Sequence, residues 1–238
     1  MQMTAEPDYT FLQRLNLPSR GGTTDHVQGL IRDAIVSGDL PPGTAINKHL
    51  ICDRLGVSRF PVSEALTRLQ AEGLVEILPQ RGTRVTRIRI LDVEEAMFIR
   101  RALEAEAVRR LAGEIRPDTI AALDRNLRYQ RAAVEAGDRS GFHALDLDFH
   151  QTLVDALGFA RVRAMLETAR GNLDRVRRIL SSPRRHAVTL EEHVAIFEAL
   201  ARGDGEAAGR AMARHLDQVI AEMVAFAADN KDVFDDAG

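Results

Sequence analysis

The chain has one cysteine, no tryptophan and two tyrosines in 238 residues, and aromatics make up only 5% of it. A single thiol, Cys52, excludes an intrachain disulfide, so the apolar core must hold the fold and a reducing cytoplasm is the expected setting. Cys52 itself lies on the apolar-leaning side of a short helical segment and is expected to pack as a small hydrophobe. No apolar run reaches the ~18 residues that would cross a bilayer, and the first residues lack the basic and apolar regions of a secretory leader. The expectation is a cytosolic protein with no membrane partner. Repeats and low-complexity tracts are also missing, which argues against solenoid and disordered classes. What is present, 45% apolar and 28% charged residues, is the balance of an ordinary globular protein of one large or two modest domains. Residues 1 to 90 carry 11 Lys plus Arg against 9 Asp plus Glu, and the remainder carries 21 against 26. That bias is too small to imply a nucleic-acid partner, so the placement of the basic residues has to carry such a claim.

The stretch from Leu50 to Leu74, LICDRLGVSRFPVSEALTRLQAEGL, organises the front of the chain. Asn47 is placed to cap a first helix with Leu50, Ile51 and Leu55 on its apolar side, and Gly56 ends it. Ser58 then begins a second helix in which Val62, Ala65, Leu66 and Leu69 share a buried face, while Arg59, Phe60, Ser63 and Thr67 point the other way. Two helices joined by so short a turn form a helix-turn-helix, whose second helix can enter a DNA major groove.

An earlier helix with Val27, Leu30, Ile31, Ala34 and Ile35 on one face completes a three-helix unit. After it, LVEIL, PQRGT and RVTRIRI read as strand, turn around Gly82, and strand. A three-helix unit followed by such a hairpin is a winged helix, expected over 23–89. Arg81 and Arg84 fall at the wing tip, with Arg87 and Arg89 beyond. They are either solvated strand charges or contacts to phosphate and minor groove, which dominate affinity when made. Residues 1–22 are expected to be a flexible arm, with Tyr9, Phe11, Leu12, Leu15 and Leu17 able to dock on the body. From Leu91 the pattern is helical throughout, giving six segments over 91–229 and an acidic tail at 230–238.

Four polar residues interrupt the apolar stripes of that second region. Asp146 and His150 lie one turn apart among Phe142, Phe149, Leu153 and Leu157. His193 is centred between Leu190, Ile196, Phe197 and Leu200, and His215 among Ala208, Ala211, Met212, Val219 and Phe226. Any one of them alone has an ordinary explanation, a hydrogen-bonded core histidine or an internal Asp146–His150 ion pair. Four together, on three helices, point to a divalent cation, because a buried unpaired carboxylate costs several kcal/mol (roughly) and bundles build metal sites from inward side chains. Three imidazoles and one carboxylate suit zinc first, with nickel or manganese as alternatives. Arg100 shares an inward stripe with Val93, Met97, Leu103 and Ala107. It is expected either to clamp a carboxylate effector or to pair with Glu104 at i, i+4.

GVSRFPVSEALTRLQAEGLV closely resembles the GVSRxPVREALxxLxxEGLV signature of the GntR family of bacterial transcription regulators. DLDFH (146–150), EEH (191–193) and MARHL (212–216) resemble the ligand pattern of the FCD effector domain in the family's FadR-like branch. The resemblance covers about residues 23 to 227 and implies Asp146, His150, His193 and His215 as metal ligands. It departs at Ser63, where the family has a base-reading arginine, at Phe60, where a small polar residue is usual, and at Lys48, where an acidic one is frequent. Serine discriminates base pairs weakly, so a different operator is expected. Arg59 is then the expected main anchor, Phe60 could pack on a thymine methyl, and His49, Thr67 and Gly82 would make secondary contacts.

The expectation is a mainly α protein, an N-terminal winged helix-turn-helix with a two-stranded wing followed by an all-α six-helix bundle. Its expected function is a homodimeric, metal-containing regulator that binds double-stranded DNA at a palindromic operator and is a repressor relieved by a small carboxylate. No catalytic residue is assigned and no enzyme is expected. The alternatives are a metal-dependent enzyme in the helical domain, and a regulator whose metal is purely structural.

Overall fold

The structure is a computed structural model that describes residues 9–13, 22–179, 182–230 and 233–235. Two units emerge from its packing, one formed by the chain up to Arg89 together with residues from Asn230 onward, the other by Ile90–Asp229.

The first unit is built on α1 (Thr23–Ser37), β1 (Ala45–Ile46), α2 (Lys48–Leu55), α3 (Arg59–Ala71), β2 (Val75–Leu78) and β3 (Gly82–Val85). The Asn47 carboxamide accepts from the backbone N–H of His49 at 3.1 Å and Leu50 at 3.2 Å, satisfying two donors that helix α2 leaves open. Gly56, at φ 69°, ends α2 in the left-handed conformation that only glycine adopts cheaply. Ser58 occupies the equivalent position before α3, but its hydroxyl makes no capping bond. Val62, Ala65, Leu66 and Leu69 are buried with Ile31, Ile35, Ile51 and Leu55 in one core.

Three strands, ordered β1-β3-β2 and antiparallel, make the wing sheet, so the expected two-stranded wing gains a third strand. That strand pairs Ala45 with Arg84 and Ile46 with Thr83. The final strand of the expected hairpin stops at Val85, because Thr86 turns its hydroxyl to the Gly73 carbonyl at 2.7 Å. Ile88–Arg89 (β4) instead pairs in parallel with Phe234–Asp235 (β5), so the described end of the acidic tail is a strand with a buried Phe234. In the N-terminal arm, Tyr9 is fully buried and its hydroxyl accepts from the Asn47 N–H at 2.7 Å; Leu12 is buried beside it. Leu15 and Leu17 lie outside the described residues.

The second unit contains, among the described residues, six helices: α4 (Ile90–Leu111), α5 (Pro117–Ala136), α6 (Arg139–Leu157), α7 (Ala160–Ile179), α8 (Pro183–Ala201) and α9 (Gly205–Asp229). Helix α4 packs against α9, α6 and α7; α5 packs against α6 and α8, and α8 against α9. Gly205 and Gly209 allow α9 to approach the α4 backbone, since a Cβ at either would lie within 3.2 Å of the Arg109 or Ala105 carbonyl oxygen. Among the described residues no helix is long and apolar enough to cross a membrane.

Candidate functional site

Helices α6, α8 and α9 each contribute to a polar cluster inside the bundle. Asp146, His150, His193 and His215 are all buried, and one potential ligand atom from each lies within 4.8 Å of the other three. The spacing that put these residues on apolar stripes is what brings them together. His150 Nε2 and His215 Nε2 are 3.3 Å apart, and Asp146 Oδ1 is 3.5 Å from His193 Nε2 and 3.9 Å from His150 Nε2.

The second nitrogen of each imidazole is turned away from this centre toward an oxygen. His150 Nδ1 donates to Glu104 Oε2 at 2.6 Å, His215 Nδ1 to Glu192 Oε2 at 2.7 Å, and His193 Nδ1 to Gln130 Oε1 at 2.9 Å. A carboxylate only accepts, so the proton on His150 and on His215 belongs to Nδ1. For His193 the same conclusion comes through a chain of amides. Asn126 Nδ2 donates to the Leu145 carbonyl and to Asp148, which leaves its Oδ1 to accept from Gln130 Nε2 at 2.7 Å and directs Gln130 Oε1 at the imidazole. Phe149 stacks on the His193 ring at 4.2 Å and 12°, fixing its plane.

With Nδ1 protonated on all three rings, each Nε2 presents a lone pair to the centre, and Asp146 adds a carboxylate oxygen. Electron-pair donors this close repel unless a cation lies among them, and the outward Nδ1 bonds are the arrangement that orients histidine ligands. The donor set therefore fits a divalent metal ion. Burial pushes the His150 pKa down, against the pull of Glu104, which keeps the ring neutral and available as a ligand. Burial would raise the Glu104 carboxyl, but Arg100 and then His150 outweigh it and hold the group well below the usual carboxylate range.

Arg100 is buried and donates to Glu104 from Nε at 2.5 Å and from Nη2 at 3.2 Å. Of the two expected roles, the structure displays the i, i+4 pair, and Arg100 supports His150 through Glu104. A cavity of about 500 Å³ opens beside the cluster, with Asp146 and His215 in its wall together with Phe142, His143, Arg185 and Glu222; Arg100 does not line it. Glu104, Glu192, Gln130 and Arg185 are thus the participants that the sequence reading did not assign to the site. One signal was available: Glu104 lies on the same α4 stripe as Arg100.

In the first unit, Arg59, Phe60, Ser63 and Thr67 all lie on the exposed face of α3, and Phe60 is 74% exposed. The Arg59 guanidinium contacts the His49 ring of α2, Nη2 to Nε2 at 3.2 Å. The Thr67 hydroxyl donates back to the Ser63 carbonyl at 3.1 Å. Arg81 and Gly82 are exposed at the wing turn, where Gln80 at φ 59° and Gly82 at φ 88° adopt left-handed conformations. Arg84 pairs across the ladder with Glu76 at 3.2 Å, and both side chains stay close to half exposed.

Residues 23–85 match the gntR family of bacterial regulatory proteins, and residues 95–218 match the FCD domain, a span that includes all four clustered ligands. The chain is similar to the HTH-type transcriptional repressor RspR of Escherichia coli (strain K12), 34% identical over 209 residues that cover 86% of this chain and 90% of the relative. A solved GntR structure from Rhodococcus sp. RHA1 superposes with a TM-score of 0.72 at 28% identity, covering 85% of this chain and 97% of that one. Escherichia coli McbR/YncC shares the fold, with a TM-score of 0.73 at 22% identity over 87% and 99% of the two chains.

Proposed function

The chain belongs to the gntR family of bacterial regulatory proteins and carries an FCD domain, and on that premise we propose that it is a metal-containing repressor released from DNA by a small organic acid. It is a DNA-binding transcription regulator; the proposal concerns what controls it. The observation that carries it is the convergence of Asp146, His150, His193 and His215 within 4.8 Å, with the protonated edge of every ring turned outward. These four would hold the ion, zinc first, with nickel or manganese next. A bound divalent cation supplies a positive centre that can take a ligand's carboxylate. The chain's own contribution is orientation and access. Glu104, Glu192 and Gln130 fix the rings, and the cavity that reaches Asp146 and His215 admits a small acid.

On the DNA side, Arg59 is the proposed main anchor, with Phe60, Ser63 and Thr67 on the same exposed face and His49, Arg81, Gly82 and Arg84 as secondary contacts. A homodimer would present two such faces to the half-sites of a palindrome. The acid would act only to the extent that it binds the two arrangements of that dimer with different affinity. Repression is supported by the naming of the Escherichia coli relative as a repressor.

The test is an anisotropy titration of labelled DNA from upstream of its own gene, at several salt concentrations, with metal-loaded and metal-stripped protein. The expected result is an affinity that falls linearly on a log–log salt plot and differs between the two forms. Salt-insensitive or absent binding would remove the DNA-binding account, and identical affinities would reduce the metal to a structural brace.

A further inference from the structure

The wall of the cavity beside the cluster discriminates between classes of acid. Arg185, on α8, is a wall residue with only 11% of its side chain exposed, and its guanidinium is held from two directions. Glu192, two turns further along the same face of α8, accepts from Nη2 at 3.0 Å and from Nη1 at 3.5 Å. Glu222, on α9, accepts from Nη1 at 3.2 Å. The two carboxylates are not equivalent. Glu192 is also fixed by His215, whose Nδ1 donates to the same Oε2 at 2.7 Å, so moving it would disturb a candidate metal ligand. Glu222 is paired with Arg185, has a side chain 38% exposed, and lies in the cavity wall two turns of α9 beyond His215.

The cavity therefore has two poles. At one, Asp146 and His215 face the candidate cation; at the other, a pinned guanidinium is covered by a carboxylate that can swing into solvent. Arginine binds carboxylates through paired donors in a fixed plane, and a buried guanidinium must keep an anionic partner. Glu222 supplies that partner inside the chain. A ligand carboxylate arriving at the same Nη atoms would repel Glu222 and could take its place with no net loss of pairing.

Resting on the effector reading, we propose that the acid is a dicarboxylate. One carboxylate sits at the Asp146–His215 pole and the other on Arg185 in place of Glu222. Arg185 is the residue that selects for the second anionic group, and Glu222 is its displaceable internal competitor. A monocarboxylate reaches the first pole, leaves the Arg185–Glu222 pair intact and gains nothing from it. Selection then arises both from a contact offered to the right acid and from a like charge set against an acid that cannot displace Glu222.

The experiment is calorimetric titration of the zinc-loaded full chain with glutarate and with valerate, which have equal carbon number and differ in the second carboxylate. The wild type is expected to bind glutarate at least about tenfold more tightly than valerate. In Arg185→Gln the glutarate-to-valerate ratio should collapse to within about twofold, and because a ratio is read, a general weakening of the metal pole cancels. Glu222→Gln, which removes the competitor's charge and spares the guanidinium, should raise the ratio above wild type. A wild type indifferent to the second carboxylate, an Arg185→Gln protein that keeps the preference, or a Glu222→Gln protein with an unchanged ratio would each overturn the proposal while leaving an acid-binding regulator in place. If neither acid binds the zinc-loaded protein, the effector reading itself falls and this inference falls with it.

Discussion

In the first unit the side chains set for function point outward: Arg59, Phe60, Ser63 and Thr67 lie exposed on one face of α3, and behind them Val62, Ala65, Leu66 and Leu69 join an apolar core. In the bundle the arrangement is inverted. The four candidate ligands are buried, and each imidazole is braced by a partner that is itself braced, His150 by Glu104 and Arg100, His193 by Gln130 and Asn126, His215 by Glu192 and Arg185. The difference follows from what each surface meets. A DNA duplex provides its own order and charge, so exposed side chains can settle on contact, whereas a metal ion requires ligands preset in position and protonation state.

If that contrast is right, substitutions in the two regions should fail in different ways. The largest effect is expected at His193→Ala, which removes a ligand from the centre: metal content measured after gel filtration should fall below stoichiometric, and the melting temperature should drop. Zinc held at 1,000 times its dissociation constant stabilises a folded chain by about 4 kcal/mol, so chelation of the wild type should lower its melting point while leaving His193→Ala almost unmoved.

Next comes Glu104→Gln. It keeps an oxygen for His150 but strips Arg100 of its buried counter-charge, a loss of about 3 kcal/mol or more, and an outer partner of this kind changes metal affinity by about 10- to 100-fold. Competition against a chromophoric chelator reads the second effect, and denaturant unfolding reads the first. In the first unit, Arg59→Ala should leave unfolding unchanged within about 0.5 kcal/mol and cost about 1–3 kcal/mol of DNA affinity. An unfolding change larger than the binding change would place Arg59 in the structure rather than at the interface. The smallest contrast is between two cap positions. Asn47→Ala should cost about 1 kcal/mol in unfolding free energy, because two backbone N–H groups lose their acceptor, whereas Ser58→Ala should change stability by only a few tenths (roughly) because the hydroxyl makes no capping bond.

Legibility in the sequence divides along the same line. The buried polar cluster was readable because His150, His193 and His215 break apolar stripes of period 3.6, and a buried break needs a reason. The helix-turn-helix was readable because caps and glycines punctuate it locally. The braces were harder. Glu192 directly precedes His193 and so lies about 100° round the helix, off the stripe that drew attention to its neighbour. Gln130 sits on a helix with no other candidate ligand, and its part depends on Asn126 and Asp148 setting the direction of an amide. The third wing strand escaped because Ala45–Ile46 is two residues long and pairs with β3 far along the chain, which no local pattern records. Phe234 was hidden among acidic residues for the same reason: its partner, Ile88, lies on the far side of the whole helical region in sequence.

X-ray absorption at the edge of the metal carried by the purified full chain tests the central claim most directly. The account predicts a single ion per chain whose nearest shell contains imidazole nitrogens, at about 2.0–2.1 Å if the metal is zinc, with the multiple-scattering signature of three histidines and at least one oxygen. A shell with sulfur in it, a shell of oxygens alone, or a chain that retains no metal when purified without chelator would contradict it.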